Sequence, residues 1–173
     1  MQGSSQKRNA ARLSRAKPAR APRRKHVSDV EAHLGYWLRF VSNHVSHAFQ
    51  MKMEAHGVTV SEWLLLREIY ASGPTSATTL AARTGISKGA VSKLLARIEA
   101  KALLERETLD EDRRNHVVAL SDAGQALVPE LAQLADLNDA EFFGHLPAQV
   151  RIAIVDVMKN VVAVHGLKSV SIE

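Results

Sequence analysis

Residues 75–120 read TSATTLAARTGISKGAVSKLLARIEAKALLERETLDEDRRNHVVAL. The stretch contains two short runs with helical periodicity, joined at Gly85, and then two strand-like runs separated by a polar segment. Two helices joined by a tight turn and followed by a hairpin are typical of a winged helix-turn-helix. The sequence therefore predicts this arrangement at the centre of the fold.

The ends of the helices follow from residue types. Ser76 and Ser87 precede the two helical runs, where a serine hydroxyl can accept from the free N–H groups of a first turn. Gly85 suits the left-handed end of the first of these helices. Upstream, Thr59 and Glu62 have the spacing of a capping box, which predicts the start of a further helix.

The helix from Lys88 to about Lys101 has two contrasting faces. One face is apolar and consists of Val91, Leu94, Leu95 and Ile98. The opposite face is small or basic, without an acid before Glu99, and consists of Lys88, Gly89, Ser92, Lys93, Ala96 and Arg97. Positive charge and low bulk suit close approach to DNA in a major groove about 12 Å wide. An ordinary solvated helix face is the alternative.

The polar run 109–115 separates strand-like residues 103–108 from 116–120, which predicts a hairpin with a charged tip. Arg113 and Arg114 fall in this tip. Arginine in a narrow loop suits the negative potential of a minor groove. Asp112 can hold the guanidinium of Arg114 by a paired contact. The alternative is a charged turn with local salt bridges.

The formal net charge of +5 originates in the N-terminal segment. Nine of the 23 Lys and Arg residues lie in residues 1–25, whereas all 18 acids lie downstream. Residues 1–27 have almost no large apolar side chain, which predicts a flexible basic arm. Such an arm either stays solvated or adds sequence-independent phosphate contacts.

Long helices are predicted on both sides of the central stretch. Between Val30 and about His56 apolar and aromatic residues form two stripes, and a helix with two such faces must contact two bodies. The DNA-binding part and a second copy of the chain are the candidates. After Ser121 a helix leads to a last one from Pro147 to about His165, whose wide apolar sector indicates burial on more than one side.

The expected fold class is therefore mainly α with a small β-wing: a winged helix-turn-helix whose N- and C-terminal helices form a dimerisation region. Residues 28–173 form one domain, in which 28–57 and 122–173 are the dimerisation helices and 58–121 the winged helix-turn-helix.

Several functional classes are disfavoured. The chain has no cysteine, which excludes disulfides and thiolate metal sites. No apolar run reaches the roughly 18 residues of a membrane span, and no secretory signal is apparent, so a cytoplasmic protein without membrane partners is expected. Glycine-rich phosphate loops and HExxH are missing from the sequence, so neither an enzyme nor a cofactor is expected.

Over roughly residues 30–166 the motifs together resemble the MarR (multiple antibiotic resistance regulator) family of bacterial transcription factors. The resemblance rests on Leu80-Ala81, Gly85-Ile86-Ser87, Val91-Ser92-Lys93-Leu94 with Arg97 and Ile98, Leu103-Leu104-Glu105-Arg106, Asp112-Arg113-Arg114, and Val117 to Ser121 leading to Gly124. It implies a homodimer on double-stranded DNA with a pseudo-palindromic operator. It also implies a repressor that a small aromatic acid releases from DNA. The long basic arm departs from the compact family pattern.

Roles can be assigned to individual residues on this basis. Contacts with base edges or flanking phosphates are expected from Ser87, Lys88, Gly89, Ser92 and Lys93. Phosphate and minor-groove contacts are expected from Arg97, Arg106, Arg113 and Arg114, with Asp112 as support for the wing.

The histidines of the N-terminal helix raise the question of a ligand. His44 and His47 have a spacing that suits a divalent ion, but no acid accompanies them at a matching spacing. The favoured interpretation is a polar pocket for a carboxylate effector, lined by Tyr36, Phe40, Asn43, His44, His47 and Trp63. Two alternatives stay open: a zinc-type metal-responsive regulator of the same fold, and a winged-helix protein-interaction module without DNA binding.

Overall fold

A computed structural model of the protein describes residues 27–108 and 116–167. Within them, a 3-10 turn at Val30–Ala32 precedes α1 (Leu34–Ala55), α2 (Val60–Ser72), β1 (Thr75–Ser76), α3 (Ala77–Thr84), α4 (Lys88–Ala100), β2 (Leu104–Thr108), β3 (His116–Leu120), α5 (Asp122–Phe143) and α6 (Ala148–His165). The mainly α fold class with a small β-wing is confirmed. In this part of the chain no helix is long and apolar enough to cross a membrane.

The predicted helix caps are present. Thr59 and Glu62 form both contacts of the capping box, because the Thr59 N–H donates to the Glu62 carboxylate at 2.8 Å and the Glu62 N–H donates to the Thr59 hydroxyl at 3.3 Å. The hydroxyls of Ser76 and Ser87 accept from the first turns of α3 and α4 at 3.1 and 3.3 Å. Gly85 ends α3 in the left-handed conformation, with φ +73°.

The hydrophobic core holds the helix-turn-helix together. α2, α3, α4, the sheet and α5 contribute to it, and its fully buried members include Leu65, Leu66, Leu80, Val91 and Ile98. Because α4 buries Val91, Leu95 and Ile98, its opposite face is turned to the outside.

The sheet has one strand more than the sequence suggested. A two-stranded hairpin was expected, but β1 adds to the antiparallel sheet in the order β1-β3-β2, with Thr75 opposite Val118. A strand of two residues is too short to show an alternation of apolar and polar side chains, so periodicity could not predict β1. The pairing of β1 with β3 links the start of α3 to the hairpin of β2 and β3.

The N-terminal helix begins later than expected. A single helix from Val30 was predicted, whereas His33 has an extended backbone and separates the 3-10 turn from α1. The indole N–H of Trp37 donates to the carbonyl of Glu31 at 2.9 Å and holds the turn against the helix. α1 then packs against α5, where Lys52 donates to Asn138 and forms an ion pair with Glu141.

The last helix differs from the others in its burial. α6 has no buried residue, and its exposed large apolar side chains are Val150, Ile152, Ile154, Val155, Val157, Val161, Val162 and Val164. Burial on more than one side, which the wide apolar sector indicated, does not occur within the single chain.

Candidate nucleic-acid interface

The outward face of α4 is the one predicted from the sequence. Ser87, Lys88, Gly89, Ser92, Lys93, Ala96 and Arg97 are all exposed there. The Ser92 hydroxyl donates to the carbonyl of Lys88 at 2.9 Å, so its remaining hydrogen-bonding capacity is that of an acceptor. An acceptor on this face matches the amino groups of cytosine or adenine in a major groove.

Neither the packing nor the backbone conformation of the chain requires a glycine at position 89. A Cβ built at this position meets no atom within 4 Å, and its backbone is not in the left-handed region. Glycine disfavours a helix because of its conformational freedom. The bare backbone in the first turn of α4 therefore leaves room for a neighbour outside the chain.

Two of the predicted phosphate-contacting arginines form ion pairs within the chain. A terminal nitrogen of Arg97, Nη2, lies 3.1 Å from Oε1 of Glu62. Nε of Arg106 donates to both carboxylate oxygens of Glu99, at 3.0 and 2.8 Å. Both arginine side chains stay about half exposed, at 56% and 43%. A phosphate would have to share or break these pairs.

Glu62 is the buried charge behind this face. Its side chain is only 1% exposed, and Lys101 donates to its Oε2 at 2.7 Å. Burial acts to raise the pKa of this carboxyl, but the hydrogen bonds from Lys101 and from the Thr59 N–H, with the charges of Lys101 and Arg97, outweigh it and lower the pKa. The carboxyl is therefore ionised near neutral pH. The sequence identified Glu62 only as a capping residue and missed its ion pairs.

The wing is the hairpin of β2 and β3, and both of its strands lie within the described residues. β2 pairs with β3 from Leu104 opposite Leu120 to Thr108 opposite His116, which confirms the predicted hairpin. Asp112, Arg113 and Arg114 lie outside the described residues, as does the predicted basic arm apart from Val27.

Most residues of the predicted effector pocket share one face of α1. Tyr36, Phe40 and His44 form an aromatic ladder, with ring centroids 6.1 Å apart for Tyr36–Phe40 and 4.5 Å apart for Phe40–His44. Asn43 and His47 are exposed beside it. Trp63, by contrast, is buried in the core, with the guanidinium carbon of Arg67 6.0 Å from its ring centroid.

The histidine pair does not gain a third ligand. Across the described ranges 27–108 and 116–167, no three His, Cys, Asp or Glu side chains gather as a metal site. One ring nitrogen of His44, Nδ1, is 2.8 Å from the carbonyl of Phe40, so it is engaged within α1.

The opposite stripe of α1, the end of α5 and the middle of α6 border an open apolar groove of about 540 Å³. Its lining consists mainly of large apolar side chains: Leu34, Trp37, Leu38, Val41, Val45, Phe143, Ile154 and Met158. The two stripes of α1 that the sequence indicated therefore lie on different surfaces: one forms the aromatic ladder and the other lines the apolar groove.

Comparisons with known proteins agree with this geometry. A family model described as MarR family matches residues 56–115, which begin after α1 and end before β3. The HTH-type transcriptional repressor NicR of Pseudomonas putida is 25% identical over 149 residues, which are 84% of this chain and 92% of NicR.

Solved structures extend the likeness beyond the matched segment. The structure of Bordetella bronchiseptica BpsR, whose DNA binding is regulated by 6-hydroxynicotinic acid, has a TM-score of 0.67 and 25% identity, over 79% of this chain and 97% of BpsR. A Staphylococcus aureus MepR–DNA complex matches in fold, with a TM-score of 0.66 and 20% identity over 76% of this chain and 97% of MepR. The chain is thus similar to MarR-family transcriptional regulators over most of its length, and it has the winged helix-turn-helix fold of the solved structures.

Proposed function

We propose that the protein is a sequence-specific DNA-binding repressor that acts as a homodimer. The observation that carries the proposal is the outward face of α4, where Lys88, Ser92 and Lys93 are exposed around the bare backbone of Gly89. The relatives are transcriptional regulators, which favours this function over an enzyme. NicR is a repressor, and this supports the same direction of control here.

The DNA contacts fall into two groups. Ser87, Lys88, Gly89, Ser92 and Lys93 meet base edges and flanking phosphates, and Arg113 and Arg114 of the wing, supported by Asp112, enter the adjacent minor groove. Arg97 and Arg106, which the sequence assigned to phosphates, are instead proposed to act as partners of Glu62 and Glu99 within the chain.

A second copy of the chain is the partner that covers the apolar surface. The apolar groove beside α1 and the exposed large apolar side chains of α6 have no cover within the described residues, and exposed apolar surface of this kind marks a protein–protein interface. Residues 28–57 and 122–173 are therefore proposed as the dimerisation region. A two-fold dimer presents α4 twice, which requires a pseudo-palindromic operator.

A small aromatic carboxylate is the proposed effector. The ladder of Tyr36, Phe40 and His44 offers stacking surfaces, and His44, His47 and Asn43 offer polar groups for a carboxylate. BpsR responds to 6-hydroxynicotinic acid, which has this chemistry. A zinc-type response of the same fold is the second candidate, supported only by the spacing of His44 and His47.

DNA binding is tested by selection from random duplex DNA, followed by a mobility-shift assay. The wild-type protein should enrich a sequence with two-fold symmetry. Lys93→Ala should cost about 1–3 kcal/mol at one base position if the lysine makes a paired base contact, and should weaken all sequences equally if it contacts phosphate. Recovery of no sequence would contradict the proposal.

The effector is tested by thermal shift with 6-hydroxynicotinic acid and by calorimetry with zinc. An aromatic effector should raise the Tm of the wild type but not of His44→Ala, and it should release the selected duplex. His56→Ala removes an exposed histidine with the same contact to a carbonyl four residues earlier but outside the ladder, and it serves as the matched control. Binding of zinc with loss of the signal in His47→Ala would instead favour the metal-responsive alternative.

A further inference from the structure

Glu62 connects α4 to the body of the domain. It lies in the first turn of α2, and its carboxylate is buried. Burial of a charged carboxylate is strongly unfavourable unless cations and hydrogen-bond donors accompany it. Both cations that accompany Glu62, Arg97 and Lys101, belong to the C-terminal end of α4. Charged contacts thus link the end of α4 to the start of α2.

The two carboxylate oxygens have different partners. Oε2 accepts from the Thr59 N–H at 2.8 Å and from Nζ of Lys101 at 2.7 Å. Oε1 is 3.1 Å from Nη2 of Arg97, but this contact lacks hydrogen-bond geometry, so Oε1 has no hydrogen-bond donor within the described residues. The attraction between Oε1 and Arg97 is therefore that of an ion pair.

Lys101 extends the connection to a third element. Its Nζ also donates to the carbonyl of Gly57 at 2.7 Å, in the turn between α1 and α2. The turn after α1, the start of α2 and the end of α4 thus meet at the Lys101 ammonium. Apolar contacts of α4 with the core are non-directional, whereas these polar contacts constrain its rotation.

We propose that Glu62 is a positioning residue for operator recognition, which acts through Arg97 and Lys101 to set the orientation of α4. The proposal rests on the proposed function, in which α4 reads duplex DNA. Hydrogen bonds to base edges depend on orientation, whereas attraction to phosphates tolerates small rotations. Loss of the constraint should therefore reduce the preference for the operator more than the affinity for DNA in general.

Glu62→Gln distinguishes the roles of the two carboxylate oxygens, because it replaces only one of them by an N–H₂ group. The amide oxygen takes the place of Oε2, because the Thr59 N–H and Lys101 both require an acceptor. The amide N–H₂ group then faces Arg97, and two donors cannot pair. The variant thus keeps the capping box and releases Arg97.

Glu68→Gln is the matched control. Glu68 lies on the same helix and accepts from Arg83 of α3 at 2.8 Å, so this variant loses the same charge and one ion pair without touching α4. Both variants are measured against the duplex that the wild type selects and against a scrambled duplex of equal composition, after thermal unfolding has shown that each is folded.

We expect Glu62→Gln to lower affinity for the selected duplex about tenfold and affinity for the scrambled duplex less than about twofold. Glu68→Gln should leave the ratio of the two affinities unchanged. In an Arg97→Met background, Glu62→Gln should reduce the ratio much less, because the residue through which it acts is already missing.

An equal loss on both duplexes would show that Glu62 only maintains the folded fraction, and an unchanged ratio would show that it does not position α4; either result overturns the inference. If the wild type selects no sequence, the proposed function fails and the inference fails with it. If the wild type selects a sequence but Glu62→Gln keeps the wild-type ratio of affinities for the selected and scrambled duplexes, only the inference fails.

Discussion

Nζ of Lys101 lies 2.7 Å from Oε2 of Glu62, although 39 residues separate the two in the chain. The contact joins the C-terminal cap of α4 to the capping box of α2. One carboxylate therefore stabilises the start of one helix and the end of another. Its protonation should affect both stability and the orientation of α4.

The acid stability of the protein should depend on Glu62. Its pKa is lowered in the folded state, so its contribution is fully present above the pKa of an unfolded glutamate, about 4.3, and is lost as pH falls through the folded pKa. Urea unfolding from about pH 7 to about pH 3 should show this loss in the wild type. Glu62→Gln should be less stable at neutral pH, and its curve should converge with the wild-type curve in acid. Parallel curves would contradict the prediction.

Gly89→Ala should change stability and DNA binding in opposite directions. The added methyl group meets no protein atom and lowers backbone freedom, so the free energy of unfolding should rise by about 0.5 kcal/mol. The same methyl group should obstruct the duplex and weaken binding about tenfold. Calorimetry and mobility shift measure the two effects.

Gly35→Ala is the control for this pair of effects. Gly35 occupies the same second position of α1, and a Cβ there also meets nothing within 4 Å. It should raise Tm to a similar extent and leave affinity for DNA unchanged. Unaltered binding by Gly89→Ala would mean that the duplex does not approach α4 at this position.

Ile154→Glu should give a folded monomer. Ile154 is 43% exposed in the single chain and lines the apolar groove beside α1, so a charge there opposes burial against a second copy. Light scattering should show half the wild-type mass, and operator affinity should fall by about 100-fold or more because the two half-sites bind independently. Ala82→Glu, an exposed change of equal charge on α3 and outside the proposed dimerisation region, should stay dimeric. A dimer formed by both variants would place the interface elsewhere.

Arg106→Gln tests whether the strand arginine reaches phosphate. Because Nε of Arg106 is directed at both oxygens of Glu99 and the pair is exposed, its loss should cost only about 0–1 kcal/mol of stability. The dependence of DNA affinity on salt should stay unchanged. A slope reduced by about one would restore the phosphate contact expected from the sequence.

The sequence was sufficient for features that depend on near neighbours. The capping box of Thr59 and Glu62, the hydroxyl caps of Ser76 and Ser87, and the exposed basic face of α4 all follow from spacings of three or four residues along one helix. The structure confirms these features, because local backbone geometry alone determines which residues share a turn. The DNA contacts assigned to that face remain predictions.

Features that depend on distant segments required the tertiary structure. The pairing of Arg97 with Glu62, the strand at Thr75–Ser76 and the burial of Trp63 bring together residues that no periodic pattern relates. The residue types along the chain determined which helices form and which faces are polar. Only the packed core decided which charges meet, because an ion pair depends on a separation of a few ångströms that the fold, and not the spacing in sequence, sets.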